Sequence, residues 1–172
     1  MLIIRDIKYE DLDFLYNIEN NPENMIYGDY HEPYSMDILQ EYIANASIPL
    51  HISHQHRYVI DNDEIAVGFL DLFEYNAQDE SAFVGIILDL AFRGQALAKN
   101  ALMLLEREVF NKWGIKILRA KVFFDNVISI SLFEKMGYRV VKKSLEKDCK
   151  GHIKTTLILE KIIKWPIEKK WL

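Results

Sequence analysis

The chain has 172 residues, enough for one domain with a sizeable core. Half of the residues are apolar and 27% are charged, an ordinary globular balance, and the formal net charge of -5 argues against a nucleic-acid binder, which presents a basic face. A negative field suits a cationic or neutral small substrate, although mild acidity also serves solubility alone.

No apolar stretch is long enough to span a bilayer, so no membrane partner is expected. Charges at Arg5, Asp6 and Lys8 argue against a signal peptide. Cys149 stands alone, which excludes an intramolecular disulfide and fits a reducing, cytoplasmic setting. Flanked by Lys147, Asp148 and Lys150, it reads as part of a solvated loop rather than as a catalytic thiol.

In chain order, Leu2 to Arg5 reads as a short strand. Leu12, Leu15, Tyr16 and Ile18 then recur at helical spacing between Tyr9 and Asn20, and Asn21-Pro22 stops that helix. Met25 to Tyr34 is irregular, with Gly28 and Pro33 as breakers. Ser35 caps a second helix to about Ala46, with Met36, Leu39, Tyr42 and Ile43 as its apolar stripe. Strands are expected at Arg57 to Ile60, Ile65 to Tyr75 and Phe83 to Leu90. A long amphipathic helix from Leu97 to Trp113 closes at Gly114. Ile115 to Phe124 is again strand-like, a short helix capped by Asp125 or Asn126 ends at Gly137, and Tyr138 to Lys143 with Thr155 to Ile163 forms a closing antiparallel pair. This order predicts a mixed α/β sheet with helices on both faces, one domain over residues 1–163 and a short tail over 164–172.

The stretch Arg93-Gly94-Gln95-Ala96-Leu97-Ala98 carries the most chemical information. A strand leads into it and the longest helix leaves it. Strand, tight turn and helix leave backbone N–H groups pointing at one spot, and these together with the helix dipole favour an anion. Gly94 tolerates unusual φ/ψ, Ala96 and Ala98 keep bulk away, and Arg93 and Lys99 can add charge-assisted bonds to phosphate oxygens. With a single glycine, a plain strand-to-helix turn stays open as the alternative. A dinucleotide fingerprint needs more glycines, and a P-loop needs the absent Gly-Lys-Ser/Thr.

A second constellation follows at Asn126-x-x-Ser129-x-x-Leu132-Phe133-x-Lys135-x-Gly137-Tyr138. Together the two segments resemble the GNAT superfamily of N-acetyltransferases, with its (R/Q)-x-x-G-x-(G/A) turn and N-x-x-(A/S)-x-x-L-Y-x-K-x-G-(F/Y) helix. Ala96 stands where that turn has glycine. The nearest likeness is to bacterial spermidine/spermine N-acetyltransferases and ribosomal-protein-alanine acetyltransferases. Ile4 to Asn21, Glu32-Pro33-Tyr34 and Gly68 to Asn76 resemble their opening strand and helix, a Glu-Pro-Tyr segment and the third strand.

The resemblance implies a mostly antiparallel sheet with one splayed parallel pair, here 83–90 and 116–124, opened by a bulge in the first of these strands. It implies acetyl-CoA as cosubstrate, its pantetheine arm against Ile86, Ile87 and Leu88 and its pyrophosphate against Arg93, Gly94, Gln95, Ala96, Leu97, Ala98 and Lys99. The Leu88 N–H would steady the developing oxyanion, Asn126 would bond the cofactor arm while also capping its helix, and Lys135 would lie near the adenosine phosphates. A primary amine is the implied acceptor, a polyamine first, with a protein N-terminus or an amino sugar behind it.

An alkylamine is almost wholly protonated at pH 7, so a base must take its proton, usually through water. Glu74 is the leading candidate and Asp71 the second. Their spacing of three puts them on opposite strand faces, so at most one faces the cleft. The resemblance alone implies that Glu32 and Tyr34 would hold the amine's charge. The family often protonates the leaving thiolate with a tyrosine where this chain has Phe133, which leaves open a non-catalytic acyl-CoA-binding module. Ser131 and Tyr138 are the nearest hydroxyls. His51, His54 and His56 read as a solvated loop rather than a metal site, because no carboxylate or cysteine lies near before Asp61. The aromatic and basic tail from Trp165 to Leu172 reads as packing on its own sheet or on a second subunit of a homo-oligomer.

Overall fold

A computed structural model describes residues 1–27, 32–148 and 150–164. Gly28, Cys149 and the tail from Trp165 to Leu172 lie outside the described residues.

Seven strands form one sheet: β1 (Leu2–Asp6), β2 (His56–Asn62), β3 (Ile65–Asn76), β4 (Ser81–Leu88), β5 (Ile117–Phe123), β6 (Arg139–Lys147) and β7 (Ile153–Ile162). Their order is β1-β2-β3-β4-β5-β7-β6. Every pairing is antiparallel except β4 with β5. The helices are α1 (Leu12–Glu19), α2 (Pro22–Met25), α3 (Met36–Ala44), α4 (Leu50–Ser53), α5 (Leu97–Trp113) and α6 (Val127–Lys135).

Alternation along the central strands builds two cores. Tyr58, Ile60, Leu70, Leu72 and Val84 face one cluster with Ala101, Leu102, Leu105 and Val109 of α5 and Phe133 of α6. Val59 and Phe69, one residue out of phase, face the other cluster with Leu12, Leu15 and Ile18 of α1 and Leu39 of α3. Each fully buried aliphatic side chain stabilises this arrangement by roughly 1.5–3 kcal/mol.

α5 spans the predicted range because its apolar stripe and its stop agree. Gly114 is left-handed at φ 66, and the Ile115 N–H reaches back to the Val109 carbonyl at 3.2 Å. Glu106 lies on the buried stripe at 6% exposure, neutralised by Lys161 of β7 with oxygens at 2.6 and 2.8 Å from Nζ.

The differences from expectation are local. The opening helix begins as a 3-10 turn, Tyr9–Asp11, before α1. Two one-turn helices, α2 and α4, occupy stretches that lacked helical periodicity. The bulge expected in β4 is not there: β4 registers without a break against β3 from Phe83 to Leu88. It lies in β3 instead, where Glu74 and Tyr75 together face Ala82 and Glu74 adopts φ 50.

A candidate acetyl-transfer site at the splayed strands

The parallel pair is short. β4 and β5 register only at Ser81–Ile117, Ala82–Leu118 and Phe83–Arg119, and beyond Phe83 they part. The direction of the freed groups follows from the ladder on the other side. The Asp89 N–H donates to the Val67 carbonyl at 3.0 Å, one position beyond the Gly68–Leu88 pair. Antiparallel pairs alternate between bonded and non-bonded. Phe69–Ile87 and Asp71–Gly85 are therefore bonded pairs, while Ile86 and Leu88 turn their N–H and C=O towards β5. Their N–H groups open onto the gap. Ile87 is a correction to the expected arm-binding set: its backbone is committed to β3 and its side chain packs in the α1 and α3 cluster.

At the mouth of the gap, Gly94 adopts φ 76 and Ala96 adopts φ 59. Two left-handed residues so close together curl the chain so that successive N–H groups converge on one concavity, an anion-binding nest. Among the described residues, no backbone or side-chain group accepts from the N–H of Gly94, Gln95, Ala96, Leu97, Ala98 or Lys99. Nothing lies within 4 Å of the position a β-carbon would take at Gly94. This open set of donors at a seventeen-residue helix start suits the phosphates of a coenzyme.

Arg93 does not join that set as expected. Its Nε donates to the Leu88 carbonyl at 3.2 Å and its terminal nitrogen donates to Asn24 Oδ1 at 2.6 Å. Lys135 lies in the last turn of α6, on a cleft of about 360 Å³ with Met103 and Arg107 from the middle of α5. Asn126 caps α6 through Oδ1, which accepts from the Ser129 N–H at 3.2 Å, so its amide nitrogen is the part left for a ligand.

The two candidate bases fare differently. Asp71 stands opposite Gly85, level with the gap, but Arg57 holds its carboxylate at 2.5 and 2.9 Å. Arg57 also meets Glu19 of α1 at 2.6 Å and lies over the rings of Tyr42 and Phe69. Burial alone would lower the Arg57 pKa, yet Asp71, Tyr42 and Glu19 outweigh it, and the net shift is upward. Asp71 is thus a structural partner of a half-buried cation. Glu74 is exposed and has no hydrogen-bond or ion-pair partner among the described residues, and the bulge sets it at the closed end of the gap.

Beside them, the Phe73 and Phe83 rings stack with centroids 5.6 Å apart. Next to that pair, Gly85 leaves the space a side chain would fill, 3.8 Å from Asp71 and Phe73. The Glu32–Tyr34 segment is tied to the end of α1, because Asn20 accepts from the Tyr34 N–H at 2.8 Å and donates to its carbonyl at 3.0 Å.

Phe133 lies in the core at 2% exposure, edge-on to Tyr138 with centroids 5.0 Å apart. Tyr138 is buried too, and its hydroxyl has no hydrogen-bond partner among the described residues. Burial and then the charge of Glu106 push its pKa well above the usual phenol value. Tyr138 is therefore not a proton donor to the gap. His54 and His56 take separate partners: the Tyr75 carbonyl at 3.0 Å and the Asp6 carboxylate at 3.0 Å. Among the described residues, no group of three or more His, Cys, Asp or Glu side chains gathers as metal ligands would.

The long-range partners were not legible in the sequence. Glu19 with Arg57 and Asn24 with Arg93 are 38 and 69 residues apart, and no local pattern marks such pairs.

Residues 1–139 match the family model described as "Acetyltransferase (GNAT) domain". The chain is 26% identical over 137 residues to the spermidine N(1)-acetyltransferase of Escherichia coli (strain K12), covering 80% of this chain and 72% of that protein. It is 28% identical over 139 residues to the spermidine N(1)-acetyltransferase of Vibrio cholerae serotype O1, covering 80% of this chain and 78% of the other. In fold it is similar to the spermidine N-acetyltransferase from Vibrio cholerae in complex with CoA and spermine, with a TM-score of 0.84 at 23% identity over 94% of this chain and 95% of that one. It is also similar to RimL, a ribosomal L7/L12 alpha-N-protein acetyltransferase in complex with coenzyme A, with a TM-score of 0.81 at 15% identity over 94% of each chain. With the family model matched over most of its length, this chain belongs to the GNAT acetyltransferase family.

Proposed function

We propose that this protein transfers the acetyl group of acetyl-CoA to a primary amine, a polyamine first. The observation that carries this reading is the run of unpartnered N–H groups from Gly94 to Lys99 beside a gap that only β4 and β5 frame. Acetyl-CoA supplies an activated acyl group with a thiolate leaving group. The chain's own residues do the rest. Gly94 to Lys99 hold the diphosphate, Ile86 and Leu88 pair with the arm, and the Asn126 amide nitrogen adds a donor. The Leu88 N–H faces the charge that develops on the acyl oxygen, a contact typically worth about 3 kcal/mol.

The amine reaches the opposite face of the sheet over Gly85, Phe73 and Phe83. Aromatic faces and the acidic balance of the chain favour an alkylammonium there. Asp71 is held by Arg57, and Glu74 stands opposite Ala82, six residues down β4 from Leu88 and roughly 20 Å from it, so the amine gives its proton to water rather than to either carboxylate. The relatives named for spermidine acetylation place a polyamine ahead of a protein N-terminus or an amino sugar. A Vibrio cholerae relative is described as dodecameric, which supports a homo-oligomer. No helix is long and apolar enough to cross a membrane among the described residues, and a cytoplasmic setting fits that. Residues 1–163 form the transferase domain.

One observation favours a second reading. Phe133 is buried and carries no proton to donate, as suits a module that binds acyl-CoA without turning it over. Thiol release from acetyl-CoA, measured against spermidine, amino sugars and short peptides, separates the two. Release with spermidine fastest supports the transferase. Tight CoA binding with no release on any amine supports the module.

A further inference from the structure

Arg93 connects two parts of the molecule that the reaction must bring together. The Leu88 carbonyl, which its Nε holds at 3.2 Å, faces the gap. A charged donor bonded to it fixes the peptide group that ends β4, next to the N–H that opens onto the gap. The other end of the guanidinium meets Asn24 Oδ1 at 2.6 Å. Asn24 belongs to α2 and is itself moored to α1, its Nδ2 donating to the Ile18 carbonyl at 3.0 Å. α2 leads into the segment that carries Glu32 and Tyr34, on the acceptor side. A planar guanidinium can satisfy both oxygens at once, whereas a lysine ammonium on its flexible stem cannot reproduce that fork.

We propose that Arg93 is a positioning residue that holds the end of β4 in place and couples the cofactor gap to the acceptor segment through Asn24. This rests on the acetyl-transfer reading. It assigns Arg93 a role other than phosphate binding: it sets the angle at which the Leu88 N–H meets the acyl oxygen. Its loss therefore falls on kcat rather than on the affinity for acetyl-CoA.

The test compares the full-length native chain with Asn24→Ala, Asn24→Asp and Arg93→Lys. Steady-state kinetics use acetyl-CoA and spermidine, and thermal melts are recorded alongside. Asn24→Asp keeps the oxygen that Arg93 uses and loses only the bond to Ile18. Asn24→Ala loses both. The expected result is a fall in kcat of about tenfold for Asn24→Ala and for Arg93→Lys. The acetyl-CoA KM stays within about twofold, and Asn24→Asp keeps a kcat near the native value. Combining Arg93→Lys with Asn24→Ala lowers kcat no further than either alone. Equal losses in Asn24→Ala and Asn24→Asp would assign the effect to α2 mooring and overturn the proposal, as would an unchanged kcat in Asn24→Ala. A native chain that turns over no amine overturns the reading beneath it, and the positioning role falls with it before any variant is compared.

Discussion

Gly68 of β3 stands opposite Leu88 of β4, and a β-carbon at Gly68 would come 2.2 Å from the Ile87 carbonyl oxygen. The backbones therefore approach at this pair more closely than any other residue permits. Leu88 is the last residue of β4, and its N–H opens onto the gap. Gly68→Ala must push the end of β4 sideways, towards the space the coenzyme arm needs. We expect a stability loss of about 1–3 kcal/mol in urea denaturation. The loss of kcat/KM for acetyl-CoA should be larger than that of a core variant matched in stability. Equal activity in the two would separate this contact from the site.

Ala96 occupies a left-handed position that glycine fills without strain. An L-residue there costs about 1–2 kcal/mol, and glycine's extra freedom in the unfolded chain takes back about 0.5–1. Ala96→Gly should therefore gain between about 0 and about 1.5 kcal/mol in stability. CoA affinity by calorimetry should be equal or higher, because the N–H array keeps its shape.

The two acidic residues of β3 should separate cleanly. Glu74→Gln at an exposed position should leave stability within about 0.5 kcal/mol of native. It should leave the spermidine rate within about twofold of native as well, because Glu74 stands six residues along the strands from the level of Leu88. Asp71→Asn should cost stability: it leaves the half-buried Arg57 with Glu19 as its one carboxylate among the described residues, and about 1–3 kcal/mol is lost. Melts and initial rates on both variants check the assignment. A hundredfold loss of rate in Glu74→Gln would put the reacting carbonyl at the closed end of the gap instead.

How much could be read in advance is clearest at α5 and at β3. The α5 range was legible because apolar spacing, a small-residue start and Gly114 all agree, whereas the parallel pair flanking it was implied by the family resemblance alone. The site's cofactor side was legible for the same reason: N–H groups at a helix start are a local property. Its acceptor side was not. The bulge at Glu74 depends on how β3 registers with β4, and the engagement of Asp71 depends on Arg57 and Glu19 arriving from other elements. Arg93 looked like a phosphate ligand by proximity in sequence, yet Leu88 and Asn24 supply oxygens that only the folded chain brings near. The one-turn helices α2 and α4 are too short to show a period.

Acid sensitivity should track a different carboxylate. Burial raises the Asp11 pKa, but the Arg5 guanidinium at 2.8 Å to both oxygens and the Lys8 N–H at 2.8 Å outweigh it, and the net shift is downward. A depressed folded-state pKa gives stability that is present above the unfolded value near 4 and is lost as pH falls through the folded value. Asp11→Asn should destabilise the protein at pH 7, and the gap between variant and native should close below about pH 4. Denaturant titrations at pH 7 and pH 3 read this. A gap that stays constant would show that the pair carries no pH-linked stability.

The most direct measurement is CoA binding by calorimetry to the native chain and to Gly94→Val. A β-branched residue at φ 76 is strained and brings bulk among the free N–H groups, although nothing in the protein stands in its way. We predict at least a tenfold loss of CoA affinity in Gly94→Val, with the α5 fold retained by circular dichroism. Native affinity in that variant would contradict a coenzyme resting on the amides that open α5.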